Sequence, residues 1–564
     1  MRKYAIFPDR NRGNHIAQVP VSVDVRDVAT LRRRTWAQIG QKALLGCAFA
    51  LLSLAPGCAL LLGLDEFEDA APAPAGQPSC AEGDVVSCYG GPPKTQGVGL
   101  CRAGMQTCLD DGAGWSECTG ETLPEQEQCA TVDDENCDGA DCGIWARLFE
   151  NETAHVRAMG VDAEGHVVLA GEFNNSIRFG GETLESVGRA LFLARFDPAG
   201  NHLWSKAFAS PAAPHLRGLA VDSGGNIVIV GLNLSLNAPV NFGGNDLGRG
   251  LLVAKFDAAG AHIWSRGVAG SFHDYENSGP SVVLDPEGDV IVAGIFSGPI
   301  DFGNGPLEPS DSTDIFVAKL AASDGSALES EGGWSRRFGG SSLDKASAVA
   351  VDTVGAIFLS GRVNGSGPIE FGNEPPVGTG PFLVKLSGHG DPLWSRGFAT
   401  GIITDLAVDG AGSPILTGTY SGALDFGGGE LPQDGGGFVV KFDAQGIHQW
   451  SRAFTSSGTV FARAVAVDPV DQQVVATGDF SVDGNFGGGV ILAGLDVYAV
   501  KLGASGKHLW SRGFGGDGIQ AGLDVALSPE GEILLAGESE DSIDFGTGPL
   551  TSASKGLFLA KLGL

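Results

Sequence analysis

At 564 residues, with 43% hydrophobic side chains and 88 glycines but only three methionines, the chain suits a turn-rich β protein: two or three domains, or one repeat array, without long helices. Its formal net charge is −31; residues 1–42 hold nine Lys/Arg against three Asp and 43–57 hold no charge, so the part from Cys58 onward sits near −37. Such a surface repels nucleic acid and anionic membrane and argues against nucleic-acid binding.

The first predicted element, 1–57, is an address rather than a fold. Arg32, Arg33, Arg34 and Lys42 precede an uncharged run, ALLGCAFALLSLAPGCALLLGL, over 43–64. A basic flank before an apolar stretch is the export pattern, because the positive end stays cytoplasmic while the apolar segment enters the bilayer. LAPGC then sets small residues before Cys58 and resembles the lipobox of bacterial lipoproteins, in which that Cys becomes the acylated first residue of the mature chain. Ala55 and Pro56 depart from the pattern, and Cys47 in ALLGC is the second choice, behind a very short apolar run. Two alternatives stay open: an uncleaved helix over 43–64, long enough to cross a bilayer, and secretion without lipid. All three put the bulk of the chain outside the cytoplasm. Ala59 is not the Asp that retains lipoproteins at an inner membrane, so the expectation is an outer-membrane or cell-surface lipoprotein.

Residues 58–79, including DEFEDAAPAPAGQPS, read as an acidic Pro/Ala-rich tether. A module over 80–142 follows, with Cys80, Cys88, Cys101, Cys108, Cys118, Cys129, Cys137 and Cys142, and no Cys occurs beyond it. An even count in a small exported segment predicts four disulfides, with a connectivity the spacing leaves open. Zinc is the rival, but there is no paired CxxC and no His in the module. Within TVDDENCDGADC, Asp133, Asp134, Glu135, Asn136, Asp138 and Asp141 set hard oxygen ligands around a Gly turn, which is what Ca2+ coordination asks for; the alternative is a solvated acidic turn. From CYGGPPKTQGVGLCRAGMQTC through WSECTGETLPEQEQC to DDENCDG, the module resembles the Cys-rich, metal-binding-type motif of surface proteins of gliding soil bacteria.

Residues 143–564 then repeat one sentence seven times. Trp145, Trp204, Trp264, Trp334, Trp394, Trp450 and Trp510 recur at a nearly even interval, in phrases such as GNHLWSKAF, DPLWSRGFAT and GKHLWSRGF. Each period holds a hairpin around an Asp/Gly turn (GLAVDSGGNIVIVG, DLAVDGAGSPILTG, DVALSPEGEILLAG), a Phe-Gly mark, a strand of the FVAKF type, and the Trp strand. Four short strands per ~60 residues describe a propeller blade. A β-solenoid is the rival; it needs polar end caps, and the first and last repeats look like the others. The expected fold is therefore all-β: a seven-bladed β-propeller closed by an N-terminal strand, preceded by the small disulfide-rich module. Closure follows from phase, because Ile144–Glu150 is a Trp strand with no blade before it and FLAKLGL ends a blade that lacks one. Each Trp is expected to wedge between neighbouring blades.

Loop lengths separate the two faces of the disc. The strand carrying Arg195, Lys255, Lys385, Lys441 or Lys501 reaches the next Trp by a connection of the same length every time, so those turns and the Asp turns make one uniform face. The loops after the Trp strands and around the Phe-Gly marks make a variable face, where binding is expected. The longest of them contains AGSFHDYENSG, with His273, Asp274, Tyr275 and Glu276 as binding-face candidates. Over 144–564 the chain resembles the SBBP type of β-propeller repeat, and more distantly NHL-type repeats; the resemblance implies architecture and an extracellular setting and supplies no catalytic residues.

Chemistry is sparse. His202, His262, His448 and His508 share one slot two residues before a Trp and read as structural, while His155, His215, His273 and His389 are outside the repeat. No HExxH, GxSxG or phosphate-binding loop occurs. The recurrent Asp162, Asp222, Asp285, Asp352, Asp409 and Asp468, with Ser528 in the last repeat, read as turn formers, and the Arg after each Trp as half of a rim ion pair. The function class expected is a non-catalytic binding or scaffold protein with a protein or glycan partner, held at the membrane by its lipid. Its rival is a propeller hydrolase or lyase using a metal ion.

Overall fold

Alternating apolar runs punctuated by regularly spaced Gly turns fold here into seven four-stranded antiparallel sheets set around a common axis. The computed structural model describes residues 80–563 except 82, 94, 99, 110–113, 125–142, 274–278, 311, 328–331, 342, 366, 373, 517 and 547. The export signal, the tether, Cys58 and the acidic loop with Asp133, Asp134, Asn136, Asp138 and Asp141 lie outside the described residues.

In each blade four strands run outward in chain order, a to d. Blade 1 is His155–Val161, Val167–Ile177, Leu184–Phe196 and His202–Ala209. The other inner strands, a, are His215–Val221, Ser281–Leu284, Leu343–Val351, Ile402–Val408, Val460–Val467 and Gln520–Leu527. Blade 7 takes its strand d from the start of the array: Gly143–Glu150 pairs with Leu550–Leu562, from Gly143↔Leu562 to Glu150↔Gly556. The seam repeats the register of every other blade, in which the Lys or Arg of strand c faces the Trp of strand d. Arg195↔Trp204, Lys255↔Trp264, Lys319↔Trp334, Lys385↔Trp394, Lys441↔Trp450 and Lys501↔Trp510 recur at the seam as Lys561↔Trp145. One molecule thus closes on itself with no edge strand left over at the seam.

The Trp strand is what joins one blade to the next. Six indole N–H groups donate to a carbonyl in the c–d turn of the following blade, Trp145 to Pro198, Trp204 to Ala258, Trp264 to Ala322, Trp334 to Gly388, Trp394 to Ala444 and Trp450 to Ala504, at 2.9–3.0 Å. Trp510 faces blade 7, whose strands c and d come from opposite ends of the array and share no turn. The ring plane lies on the turn glycine: a Cβ at Gly506, where φ is +72°, would stand 2.5 Å from Trp450, and one at Gly200, φ +75°, 2.6 Å from Trp145. Glycine is required there both for the left-handed backbone and for the close approach. At the other end of the strand the closing Phe meets the Phe-Gly mark of the next blade, as in Phe149–Phe179 at 5.0 Å, Phe398–Phe426 at 4.9 Å and Phe514–Phe545 at 5.1 Å.

The basic residue after each Trp departs from the expected role. In five blades it lies over its own indole, as Arg396 does at 5.3 Å, and it donates to carbonyls of the next blade, Arg396 to Gly446 at 3.0 Å and Arg452 to Gly506 at 2.6 Å, whereas Arg512 lies over Phe514. Arg266 makes the expected ion pair as well, with Asp324 at 3.2 Å, where both side chains are half exposed. A guanidinium in a groove between blades has unfilled carbonyls within reach, and these outcompete carboxylates free in water.

The recurrent Asp forms the turn as expected and does a second job that the repeat pattern does not announce. In Asp409, Oδ1 accepts from Ala411 and Ser413 at 2.9 Å while Oδ2 holds Lys441 from strand c at 2.7 Å, both side chains being buried. Arg195–Asp162, Lys319–Asp285 at 2.5 Å and Lys385–Asp352 at 3.2 Å repeat the pair. In blade 7, where Ser528 replaces the Asp, Lys561 turns to Glu532.

In the Cys-rich segment, a hairpin joins Val85–Cys88 to Gly104–Thr107. Cys88 is bonded to Cys118 and, separately, Cys80 to Cys108, each with Cα atoms 5.8 Å apart. Cys101 is disulfide-bonded too, while Cys129, Cys137 and Cys142 lie outside the described residues.

Candidate functional site

The ring geometry turns a register position into a place. In six blades the residue seven before the turn Asp or Ser lies at or near the start of strand a, at the mouth of the central channel on the variable face: His155, His215, Lys345, Ile402, Phe461 and Ala521; in blade 3 that position, 278, lies outside the described residues. Two residues further along, a bulge in most inner strands turns a side chain into the channel; Arg157, Arg217 and Arg463 occupy that place, with Ser347, Thr404 and Leu523 in other blades.

The next position holds Ala or Gly in four blades, Ser281 in blade 3, and carboxylates in blades 5 and 7. Asp405 accepts from the backbone of Val465 in blade 6 at 2.9 Å and from Leu406 at 2.8 Å. Asp524 accepts from Met159 in blade 1 at 2.7 Å and from Val525 at 2.8 Å. Both line the channel and are half-buried there. Burial pushes Asp405 up to about 6; burial and then the charge of Asp405 push Asp524 up to about 7, the backbone bonds acting in the opposite sense.

Around the mouth the protein places the cations that its repeats do not use. Of the 25 Lys and Arg from residue 143 onward, 14 fill the slot after the Trp or the slot on strand c. Of the other eleven, Arg157, Arg217 and Arg463 line the channel, Lys345 and Arg362 line the cleft beside it, and Arg189 and Lys555 reach the starts of the inner strands of blades 2 and 1. Seven of eleven on one part of one face is a concentration, in a chain with almost two acids per base. Counter-charges hold them in order: Glu172 takes Arg157 at 3.5 Å and the Leu216 N–H at 3.0 Å, Arg463 pairs with Asp479, and Glu538 takes Lys555 and His155, the latter at 2.9 Å. Burial opposes ionisation of Glu538, but the bonds from His155 and Lys555 outweigh it and keep its carboxyl below the usual range.

Between blades 4, 5 and 6 the mouth widens into a cleft of 760 Å3. Lys345, Ile402 and Phe461 contribute one side chain per blade; Arg362, Tyr420 and Asp434 form a flank, and Ser347, Thr400, Thr419, Ser421, Ser456 and Thr459 supply hydroxyls. Phe461 is 45% exposed, with the Arg463 guanidinium 5.6 Å from its ring centre.

Other sequence candidates are placed differently. His273 is spent on its own blade, its Nε2 2.6 Å from the Ser297 hydroxyl, and burial holds its pKa below the usual value; Asp274, Tyr275 and Glu276 lie outside the described residues. His202, His262, His448 and His508 pack behind the Phe-Gly marks, where a Cβ at Gly181, Gly244, Gly428 or Gly488 would collide with the ring. These marks fold back onto strand d of their own blade and become part of the frame. His155 and His215, separate in the sequence, come to matching places on adjacent blades. Among the described residues no group of three or more His, Cys, Asp or Glu is arranged to hold a metal ion. The channel carboxylates had a signal in the sequence: DLAVD and DVALS put Asp where the other repeats have Ala, Gly or Ser.

No family profile matches the chain. Two curated proteins are similar in sequence: an uncharacterized WD repeat-containing protein, L264, of Acanthamoeba polyphaga mimivirus, 22% identical over 431 residues, and the regulatory protein FlaEY of Caulobacter vibrioides, 30% identical over 178. The alignments take in 60% and 30% of this chain, and the chain spans 30% and 18% of those proteins' lengths. Among solved structures, the Dos1 propeller gives a TM-score of 0.37 at 9% identity over 73% of this chain and 94% of its own, and the C-terminal WD40 domain of Sif2 gives 0.33 at 8% over 74% and 99%. A Bacteroides caccae protein of unknown function gives 0.31 at 10% over 57% and 89%. The seven-bladed propeller itself is read directly from the strand pairings above.

Proposed function

We propose that the protein is an exported cell-envelope lipoprotein, anchored through Cys58, that presents its propeller as a non-catalytic binding or scaffold surface to a protein or glycan partner. The observation that carries this reading is the 760 Å3 cleft on the variable face, lined by hydroxyls, two cations and exposed apolar side chains. The bonded cysteines suit an oxidising compartment, and the lipobox-like LAPGC, the Pro/Ala-rich tether and the basic flank suit a tethered, surface-held protein. Kinship with the SBBP repeats belongs to the same proposal, as does Ca2+ on the acidic loop of 133–141.

The test is a binding screen of the full chain against envelope glycans and surface proteins, with and without Ca2+, alongside radiolabelled palmitate incorporation. Saturable binding and a label lost in Cys58→Ser are expected. A label that survives Cys58→Ser removes the anchor. Turnover of a bound compound replaces the reading with that of a propeller hydrolase or lyase, for which His155, held by Glu538, is the base in place.

A further inference from the structure

We infer that the cleft between blades 4, 5 and 6 binds an acidic saccharide, a short chain bearing uronate carboxylates; this deepens the binding reading above and rests on it. The cleft volume falls inside the ~300–1,000 Å3 of ordinary ligand sites. Its composition selects the ligand in three ways.

First, Lys345 and Arg362 stand on adjacent strands of blade 4 and line the same wall. Burial first, and then repulsion from Arg362, lowers the Lys345 pKa, while Arg362 is held against this wall by its bonds to Asn364 Oδ1, at 2.9 Å, and to the Gly401 carbonyl. An anion lying against both relieves that repulsion, and a carboxylate is the anion whose two oxygens meet two cations at once. Second, Phe461 offers a ring 45% exposed at the cleft floor, beside Ile402 at 43%. Flat apolar surface of that size beside a polar rim suits the C–H face of a pyranose. Third, the remaining polar lining is mostly hydroxyl and amide, Thr400, Thr419, Ser456, Thr459 and Asn364, with Asp434 on the flank as its one carboxylate. Thr400 and Ser456 spend their protons on the carbonyls of Ala423 and Ser481, so towards a ligand they act as acceptors, which matches one whose own groups are mostly hydroxyl donors.

A peptide fits less well. Strand addition would need a free strand edge along the wall, whereas on the channel-facing edges of the inner strands the neighbouring blades already take backbone groups: Val349 N–H donates to Ser281 Oγ at 3.4 Å, Val465 N–H to Asp405 at 2.9 Å, and the Ala462 carbonyl accepts from Thr404 at 2.8 Å. The acidity of the rest of the protein also narrows the ligand. A long polyanion is repelled by the surface around the cleft, and a short oligouronide is not.

The experiment is calorimetric titration of the full chain with tetragalacturonate, maltotetraose and tetraglutamate in about 0.1 M salt, where charge at distances beyond ~10 Å is screened. The expected result is saturable binding of tetragalacturonate, at least tenfold weaker binding of the neutral sugar, and at least tenfold weaker tetragalacturonate binding by Phe461→Ala and by Lys345→Gln, while Phe461→Tyr binds as well as the native chain. Both side chains line the cleft, and unchanged thermal midpoints of the variants separate lost contacts from lost fold. Equal affinity for the two sugars, preference for tetraglutamate, binding untouched by both variants, or no binding overturns the inference. Those outcomes leave the wider reading standing, which falls separately on turnover or on partner binding that follows substitutions on the opposite face.

Discussion

Replacing Asp524 with asparagine should stabilise the protein at alkaline pH, by an amount that shrinks on acidification. Burial, with the neighbouring Asp405 charge next, raises the Asp524 carboxyl to about 7 from an unperturbed 3.8. Because the folded value is the higher one, the folded state takes up its proton first. Stability is lost as pH rises from about 4 to about 7 and does not return above that. Three units at ~1.4 kcal/mol each set the cost of keeping the ionised form at pH 8 at about 4 kcal/mol. The amide oxygen of Asn accepts one of the two N–H bonds, from Met159 or from Val525, and forgoing the other costs about 1 kcal/mol. A net gain of about 3 kcal/mol is then expected at pH 8, falling by about 2–3 kcal/mol at pH 5 as the native Asp protonates. Urea unfolding followed by circular dichroism at pH 5, 6, 7 and 8 measures it, and Asp405→Asn in the same series reports the coupling between the two. Arg157, Arg217 and Arg463 line the same channel in the native chain and in the variant alike, so they cancel in the comparison. A difference between Asp524→Asn and the native chain that stays constant across this range would refute the argument.

Two further substitutions probe the frame. Lys441→Met should cost about 3 kcal/mol or more, because it leaves Asp409 buried without its cation, whereas Arg266→Met, in a half-exposed pair, should cost about 0.5 kcal/mol; urea midpoints of the two variants compare them. Burial of Asp409 works against its ionised form, but the Lys441 bond and backbone donors win and hold its pKa low. Stability from this pair is present above an ordinary Asp pKa and disappears only as pH falls below it, so the Lys441→Met penalty should shrink at pH 3. Gly506→Ala should cost about 2–4 kcal/mol, since a methyl 2.5 Å from Trp450 has to push the indole away while φ stays at +72°. Gly422→Ala, at φ +77° with nothing within 4 Å, isolates the backbone share, about 1 kcal/mol, and equal losses at the two sites would show that the wedge is not tight.

The fold was legible because a propeller is a repeat, and a repeat states its register many times. The short step from the strand-c Lys or Arg to its Trp, constant except for the longer one from Lys319 to Trp334, can only be a tight hairpin, and the same pair at Lys561↔Trp145 is what the orphan first strand implied. The Trp wedge and the structural His slot were legible for the same reason. Less legible was anything that repeats and yet has two partners. Asp409 reads as a turn residue from its neighbours in the chain, and its bond to Lys441, on the third strand of the same blade, belongs to strand order across the sheet. The Arg after each Trp misled because a linear pattern shows the charge and not the carbonyls of the next blade.

Sequence alone settled the number of blades, the order of strands, the closing seam and the division into a uniform and a variable face, since each depends on spacing within a single repeat or on where the repeats begin and end. Tertiary structure decided what lies at the channel mouth. Lys345, Ile402 and Phe461 sit a whole repeat apart from one to the next, are unlike in chemistry, and become neighbours only because ring closure brings one register position from every blade to one circle. Asp405 and Asp524 were visible as breaks in the repeat, but burial in the channel raises both pKa values and the charge of Asp405 raises that of Asp524 further, and these surroundings exist only once the ring is shut.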